Sequence, residues 1–378
     1  MSAVDAPIER LTTGIYRFPT PEPEADGTLK WDATVAVTVQ AEAAGCVGLG
    51  WTYSTFAASA IIDDHLAGAV RGCDAADTAG AWSAMHRACR NLGTKGLVMQ
   101  AISAVDIAIW DLKARLLDMS LARLLGGMRT SVPIYGSGGF TTLDDDQLKA
   151  QVDGWTAAGC TAMKIKIGES WGRRVDRDLQ RVRQLREIAG PDVQLMVDAN
   201  GGYTSGQARR VGSALDELGV VWFEEPVSSD DVHALALLRA GLECDVTAGE
   251  YASDSYDAAR LAPVVDCLQL DVTRCGGYTG WERAAAVAAA HNLDVSGHCA
   301  PALHAPIAAA IPNLRHVEYF IDHARLEPLL VDGAPAVTSG RLYLDPTAIG
   351  HGMTLSEHAR PYQIDERRAI RGGSRIHR

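Results

Sequence analysis

The chain has 378 residues, 47% hydrophobic and 22% charged. That excludes a disordered or low-complexity protein and suits one large domain with a smaller companion. A net charge of −12 argues against nucleic acid as a partner, though not against a small anion, because local charge governs a site. No apolar run reaches membrane-spanning length, so no membrane partner is expected; Ala284–Ala290 is short and ends at His291.

In chain order, Thr34–Glu42 alternates apolar and polar residues as a strand, and Gly45–Thr52 can pair with it across a turn. Before them, 18–32 is rich in Pro, Glu, Asp and Gly and reads as a loop. Ile61–Val70, Ala75–Leu92 and Leu97–Leu117 read as helices, the last with a stripe at Ile102, Val105, Ile109, Leu112 and Leu116. From Val132 a strand–helix rhythm begins. Its strands end near Gly136, Ile167, Asp198, Glu224, Glu250, Asp271, His298 and Glu318. The expected organisation is an α+β unit over 1–127, a (β/α) barrel over 128–340, and a segment 341–378 returning to the first unit. The last residues carry Arg367, Arg368, Arg371, Arg375 and Arg378, a basic tail read as a solvated terminus rather than a phosphate site. Eight scattered cysteines without a CxxC pair, and an N-terminus without a signal-like stretch, make a cytoplasmic location the expectation.

Asp198, Glu224 and Glu250 each close a short run and are spaced 26 residues apart. A strand, a helix and two loops take about that length, and the C-terminal strand ends of such a barrel carry active sites. Taken singly, each acid also suits the N-terminus of a following helix. Three in register point instead to a cation, because converging carboxylates cannot all stay ionised without one. All-oxygen ligands favour Mg²⁺, with Mn²⁺ as a substitute. Glu225 would then face away as a supporting group.

Lys164 and Lys166 lie two apart on an apolar strand, so both point to one face. Two ammonium groups that close should lower one pKa, giving a base. Asn200, two beyond Asp198, is either a substrate donor or part of the Gly201–Gly202 turn. Asp271 and His298 end consecutive strands, a carboxylate–imidazole pair suited to acid–base work. Glu318 follows 20 residues later, and His304 is a loop residue without an evident role.

A Lys-x-Lys, then Asp, Glu and Glu at this spacing, then an Asp/His pair and a Glu resembles the mandelate racemase subgroup of the enolase superfamily. The segment Asp106–Lys113 and Leu124–Gly127 resembles its junction between cap and barrel. The related muconate-lactonizing branch would put lysine where Asp271 stands. The resemblance implies a (β/α)₇β barrel with an α+β cap built from both termini, and loops near 18–32 and 50–56 closing over substrate. It implies Mg²⁺ on Asp198, Glu224 and Glu250. Lys166 would be the base on one face and His298, oriented by Asp271, the acid or base on the other. Lys164 and Glu318 would meet the substrate carboxylate. Asn200, Lys30 and Trp51 are candidate substrate contacts.

The implied reaction removes a proton α to a carboxylate, with the developing charge stabilised by cation and lysine. Dehydration of a sugar acid to a 2-keto-3-deoxy acid is the expectation, since 18–32 and 50–56 are polar and suit a polar substrate; a homo-oligomer is expected as well. Racemisation of a 2-hydroxy acid by the same Lys166/His298 pair is the alternative. A barrel that only binds would be expected to have lost at least one of these residues.

Overall fold

The computed structural model describes residues 6–364; the basic tail lies outside them. Three antiparallel strands, β1 (Arg10–Ala25), β2 (Lys30–Ala43) and β3 (Cys46–Tyr53), open the chain. The helix Leu97–Leu116 packs across them. Gly48 and Gly50 allow this close approach: a Cβ on either would lie 2.2–2.3 Å from the carbonyl oxygens of Ala108 and Ala104. With those glycines facing the helix, alternation sends Leu49, Trp51 and Tyr53 to the opposite face, where all three are buried.

Residues 18–32 are not a loop. β1 runs through Pro19–Pro23 and pairs with β2, with a register break between Pro19 and Glu24. β1 is an edge strand, where proline is tolerated because an outward N–H has no partner to lose. Only Asp26–Leu29 turns, and Asp26 closes the turn by accepting from the Thr28 and Leu29 amides.

The eight barrel strands are β4 (Ser131–Gly138), β5 (Ala162–Lys166), β6 (Gln194–Asp198), β7 (Val220–Glu224), β8 (Asp245–Ala248), β9 (Cys267–Leu270), β10 (Asp294–Gly297) and β11 (Leu314–Phe320). Neighbours pair in parallel in sequence order, and β11 closes on β4. Helical stretches join consecutive strands, and a further helix, Ile321–Leu330, follows β11. Apolar residues facing the helices form the main core, while Tyr135, Ala162, Met196, Trp222 and Cys267 fill the barrel interior. Residues after 330 return in two directions. Arg341–Tyr343 pairs antiparallel with the start of β4, and Gln363 bridges to Tyr16 of β1.

The cap and barrel are tied by buried polar groups. Asp106 accepts from the backbone N–H and hydroxyl of Thr279, and burial pushes its carboxyl up to about 7. Asp111 accepts from the Leu49 and His351 amides, joining cap helix, β3 and the C-terminal segment. Among the described residues, no helix is long and apolar enough to cross a membrane. All eight cysteines are free thiols.

Candidate active site

Register sets the carboxylates. Lys166 pairs with Asp198 and Asp198 with Glu224 across β5, β6 and β7, so the three side chains leave the sheet at one level. Glu250 lies two residues beyond β8, after Gly249. Oxygens of Asp198, Glu224 and Glu250 lie within 4.8 Å of one another, all buried.

Lys164 Nζ donates to both oxygens of Glu224 at 2.7 and 2.8 Å and lies 2.8 Å from Glu318 Oε1. Lys166 pairs with Asp198. Glu224 has a floor as well: Trp222 Nε1 donates to its Oε2 at 2.9 Å, and Gln269 Nε2 at 3.1 Å. Desolvation raises Glu224 to about 8, with Asp198, Glu318 and Glu250 adding to the rise and Lys164 opposing it. Burial would raise Glu250 too, but His298, Arg274 and the two lysines hold it down to about 2.

Lys166 departs from the sequence expectation. Burial and Lys164 both lower its pKa, yet Asp198, Glu250 and Glu318 outweigh them and raise it. Lys164 does act on Lys166 as a like charge, but the three acids that face Lys166 are together the stronger influence.

On the other side of the ring, His298 Nδ1 is 2.8 Å from Asp271 Oδ2. Asp271 Oδ1 accepts from the Thr273 amide and hydroxyl, both at 2.7 Å. His298 Nε2 faces Glu250 Oε2 at 3.3 Å and Glu318 Oε2 at 3.8 Å. Burial works against the imidazolium, but Glu250 and Glu318 raise the His298 pKa overall. Glu318 Oε1 also accepts from Ser137 Oγ at 2.6 Å.

Other candidates are placed differently. Asn200 has left-handed backbone (φ 44°), and its backbone N–H donates to Asp198 Oδ1 at 2.8 Å. Its own Oδ1 is buried and unpartnered, at a cavity of about 610 Å³ shared with Glu225, Tyr251 and Arg274. Lys30 is exposed at a second cavity of about 810 Å³, beneath the β1–β2 tip. Trp51 does not line either cavity: it is wholly buried against His351, because β3 alternation turns it into the cap–barrel interior. Tyr53 instead stacks on His323 at 3.7 Å. Glu225 is turned by its left-handed φ of 37° and sits among the acids rather than away from them. Burial, then Glu250 and Asp198, raise its pKa. His304 is a staple, its Nε2 accepting from the Val272 amide.

Reading the sequence missed Arg274, which bridges Glu250 Oε1 at 3.2 Å and Asp271 Oδ2 at 3.3 Å. Its spacing of three from Asp271 was the available signal. Trp222 and Gln269 were also missed; Trp222 lies two before Glu224 and shares its face.

Six buried carboxylates (Asp198, Glu224, Glu225, Glu250, Asp271 and Glu318) thus face Lys164, Lys166 and Arg274. That crowding of buried carboxyl groups, the all-oxygen donor set and the buried Oε2 of Glu250, which accepts no hydrogen bond, fit a divalent cation.

Comparison with known proteins agrees. Residues 15–126 match the mandelate racemase / muconate lactonizing enzyme N-terminal domain, and 147–359 the enolase C-terminal domain-like family. A mandelate racemase/muconate lactonizing enzyme-like protein from Rubrobacter xylanophilus superposes with TM-score 0.91 at 44% identity, over 95% of this chain and 100% of that one. A 3,6-anhydro-alpha-L-galactonate cycloisomerase from Streptomyces coelicolor is 33% identical, over 92% of this chain and 97% of its own. The L-talarate/galactarate dehydratase of Salmonella typhimurium, solved with Mg and L-lyxarohydroxamate, superposes with TM-score 0.88 at 28% identity, over 96% and 94%.

Proposed function

Because the chain belongs to the mandelate racemase subgroup of the enolase superfamily, we propose that it is a hydro-lyase acting on a sugar acid, an aldonate or aldarate. The observation that carries this reading is the convergence of two proton-transfer groups from distant strands on one set of buried acids. Lys166 on β5 meets Asp198, and the Asp271-bound His298 after β10 meets Glu250.

Asp198, Glu224 and Glu250 would hold Mg²⁺, or Mn²⁺ in its place, which supplies Lewis-acid stabilisation to a substrate carboxylate and offsets the acids that keep Lys166 protonated. Lys166, once neutral, takes the C2 proton. Lys164 and Glu318 meet the substrate carboxylate as its charge grows. Against burial, Lys164, His298 and Lys166 together hold the Glu318 carboxyl well below the ordinary carboxylate range, and an arriving carboxylate works against them by like-charge repulsion. His298, held as imidazolium in the tautomer set by Asp271, gives its Nε2 proton to the β-hydroxyl. The C3–O bond breaks, water leaves, and the resulting enol ketonises to a 2-keto-3-deoxy acid.

A polar substrate suits the roof, where Asp26, Lys30 and the Glu24–Trp31 hydrogen bond (2.8 Å) face the barrel. The similarity to the Streptomyces cycloisomerase favours a second reading. The same C2 deprotonation would expel a ring oxygen, isomerising an anhydro acid without release of water.

The test is a panel of aldonates, aldarates and anhydro sugar acids with Mg²⁺ in D₂O, followed by NMR. A 2-keto-3-deoxy product from an open-chain acid supports dehydration. Turnover of anhydro acids alone favours cycloisomerisation. A C2 epimer without any keto acid would rule out both in favour of racemisation.

A further inference from the structure

We propose that His298, Cys299 and Glu318 form a second cation site, selective for a thiophilic ion such as Zn²⁺ or Cd²⁺, whose occupancy withdraws His298 from proton transfer. This goes beyond the hydro-lyase reading and uses a different donor set from Asp198, Glu224 and Glu250.

The donors are an imidazole nitrogen, a thiol sulfur and a carboxylate oxygen, all buried and within 4.8 Å of one another. Such a mixture selects zinc-like ions over Mg²⁺. Cys299 Sγ is 3.3 Å from His298 Nε2, and Glu318 Oε2 is 3.8 Å from that nitrogen. A tetrahedral ion with bonds of about 2.3 Å to sulfur and about 2.0 Å to nitrogen and oxygen spaces its donors by about 3.3–3.6 Å. The Sγ–Nε2 separation matches one edge of that tetrahedron, and the Nε2–Oε2 separation exceeds its edge by a few tenths of an ångström.

The backbone makes this possible. Consecutive side chains of extended chain point to opposite sides. Here Cys299 (φ 52°) and Ala300 (φ 39°) are both left-handed without being glycine, a conformation that needs support. Glu318 Oε2 accepts from the Cys299 amide at 2.9 Å, and His323 Nδ1 from the Ala300 amide at 3.0 Å. That turn swings Sγ back onto the preceding histidine.

The outer shell is also in place. Asp271 takes His298 Nδ1, leaving Nε2 as the ligand atom, an arrangement typical of metal-binding histidines. Ser137 and Lys164 hold Glu318 Oε1, while Oε2 accepts from the Cys299 amide and keeps its second lone pair toward the cluster. Binding would release two protons to solvent, one from the Cys299 thiol and one from Nε2 of the His298 imidazolium, leaving a thiolate and a neutral imidazole on the ion.

The test uses the whole protein in saturating Mg²⁺, titrated with Cd²⁺ and followed by the ultraviolet thiolate-to-Cd²⁺ charge-transfer band. This readout needs no substrate, so it stands or falls separately from the dehydratase reading. One equivalent of Cd²⁺ should develop the band. Cys299→Ser should abolish it and weaken Cd²⁺ binding by at least about tenfold, while leaving the affinity for Mg²⁺ unchanged. Cys299→Ala gives the same readout should the serine variant fail to fold. With a substrate in hand, Cd²⁺ should inhibit the wild type far more than either variant. A band that persists in the variants, Cd²⁺ binding of undiminished affinity in them, or Cd²⁺ displaced in proportion to added Mg²⁺ would overturn the proposal.

Discussion

The barrel rim and the β1–β2 tip, whose Asp26 interacts electrostatically with Lys166 and Asp198, are built differently. On the rim, Lys164, Lys166, Asp198, Glu224, Glu250, Asp271, His298 and Glu318 are all buried. Each lies on a strand or within two residues of its end, in a closed parallel ladder. On the roof, Leu29 and Lys30 at the β1–β2 tip are exposed. The tip is held by local bonds such as those of Asp26 and by backbone carbonyls that accept from barrel loops, Ala25 from the Thr141 amide at 2.8 Å and Gly27 from the Trp171 amide at 3.0 Å. Proton transfer loses rate with small displacements, so it belongs on the rigid part. Discrimination among sugar acids can be altered on the roof without disturbing that chemistry.

The contrast can be broken at its strongest point first. Glu224→Gln removes the central ligand and a partner of Lys164, and should lower kcat/KM by about 10³-fold or more. Steady-state kinetics with a Mg²⁺ titration would show whether excess cation rescues it; full activity would remove Glu224 from the mechanism. Trp222→Phe keeps the packing but deletes one hydrogen bond to Glu224. A loss of about 10–100-fold in Mg²⁺ affinity, measured calorimetrically, is expected of an outer-shell donor.

Roof substitutions should act more gently. Lys30→Ala should change kcat/KM by about tenfold at most, as suits an exposed charge, and should reorder preference among acids while leaving C2-proton exchange intact. An equal loss on every substrate would place Lys30 in the chemistry instead.

The smallest effect concerns a link between the regions. Glu327 accepts from Tyr53 of the cap at 3.2 Å and from the Ala302 amide at 3.1 Å. Burial raises its carboxyl from the ordinary 4.5 to about 8. A folded-state pKa above the unfolded one contributes stability that is complete below about 4.5 and is lost as pH rises through about 8. Glu327→Gln should flatten the fall in Tm between those limits; an unchanged slope would show that Glu327 is not the titrating group.

Legibility in the sequence follows the same division. The interval linking Asp198, Glu224 and Glu250 was readable because βα units have similar lengths and strand ends share a level. The Asp271/His298 pair was readable for the same reason. Trp51 was misplaced because the glycines that fix the face of β3 were read only as part of a strand. The β1–β2 hairpin was hidden by prolines that an edge strand tolerates. Glu225 and Cys299 depend on left-handed turns at non-glycine residues, for which local sequence gives no cue.

The division of labour between Lys166 and His298 is the account's central claim, and C2 exchange in D₂O tests it most directly. With an acid that the wild type dehydrates, His298→Asn should incorporate deuterium at C2 of recovered substrate without forming keto acid. Lys166→Ala should do neither. Exchange that survives in Lys166→Ala and vanishes in His298→Asn would contradict the assignment and make His298 the base.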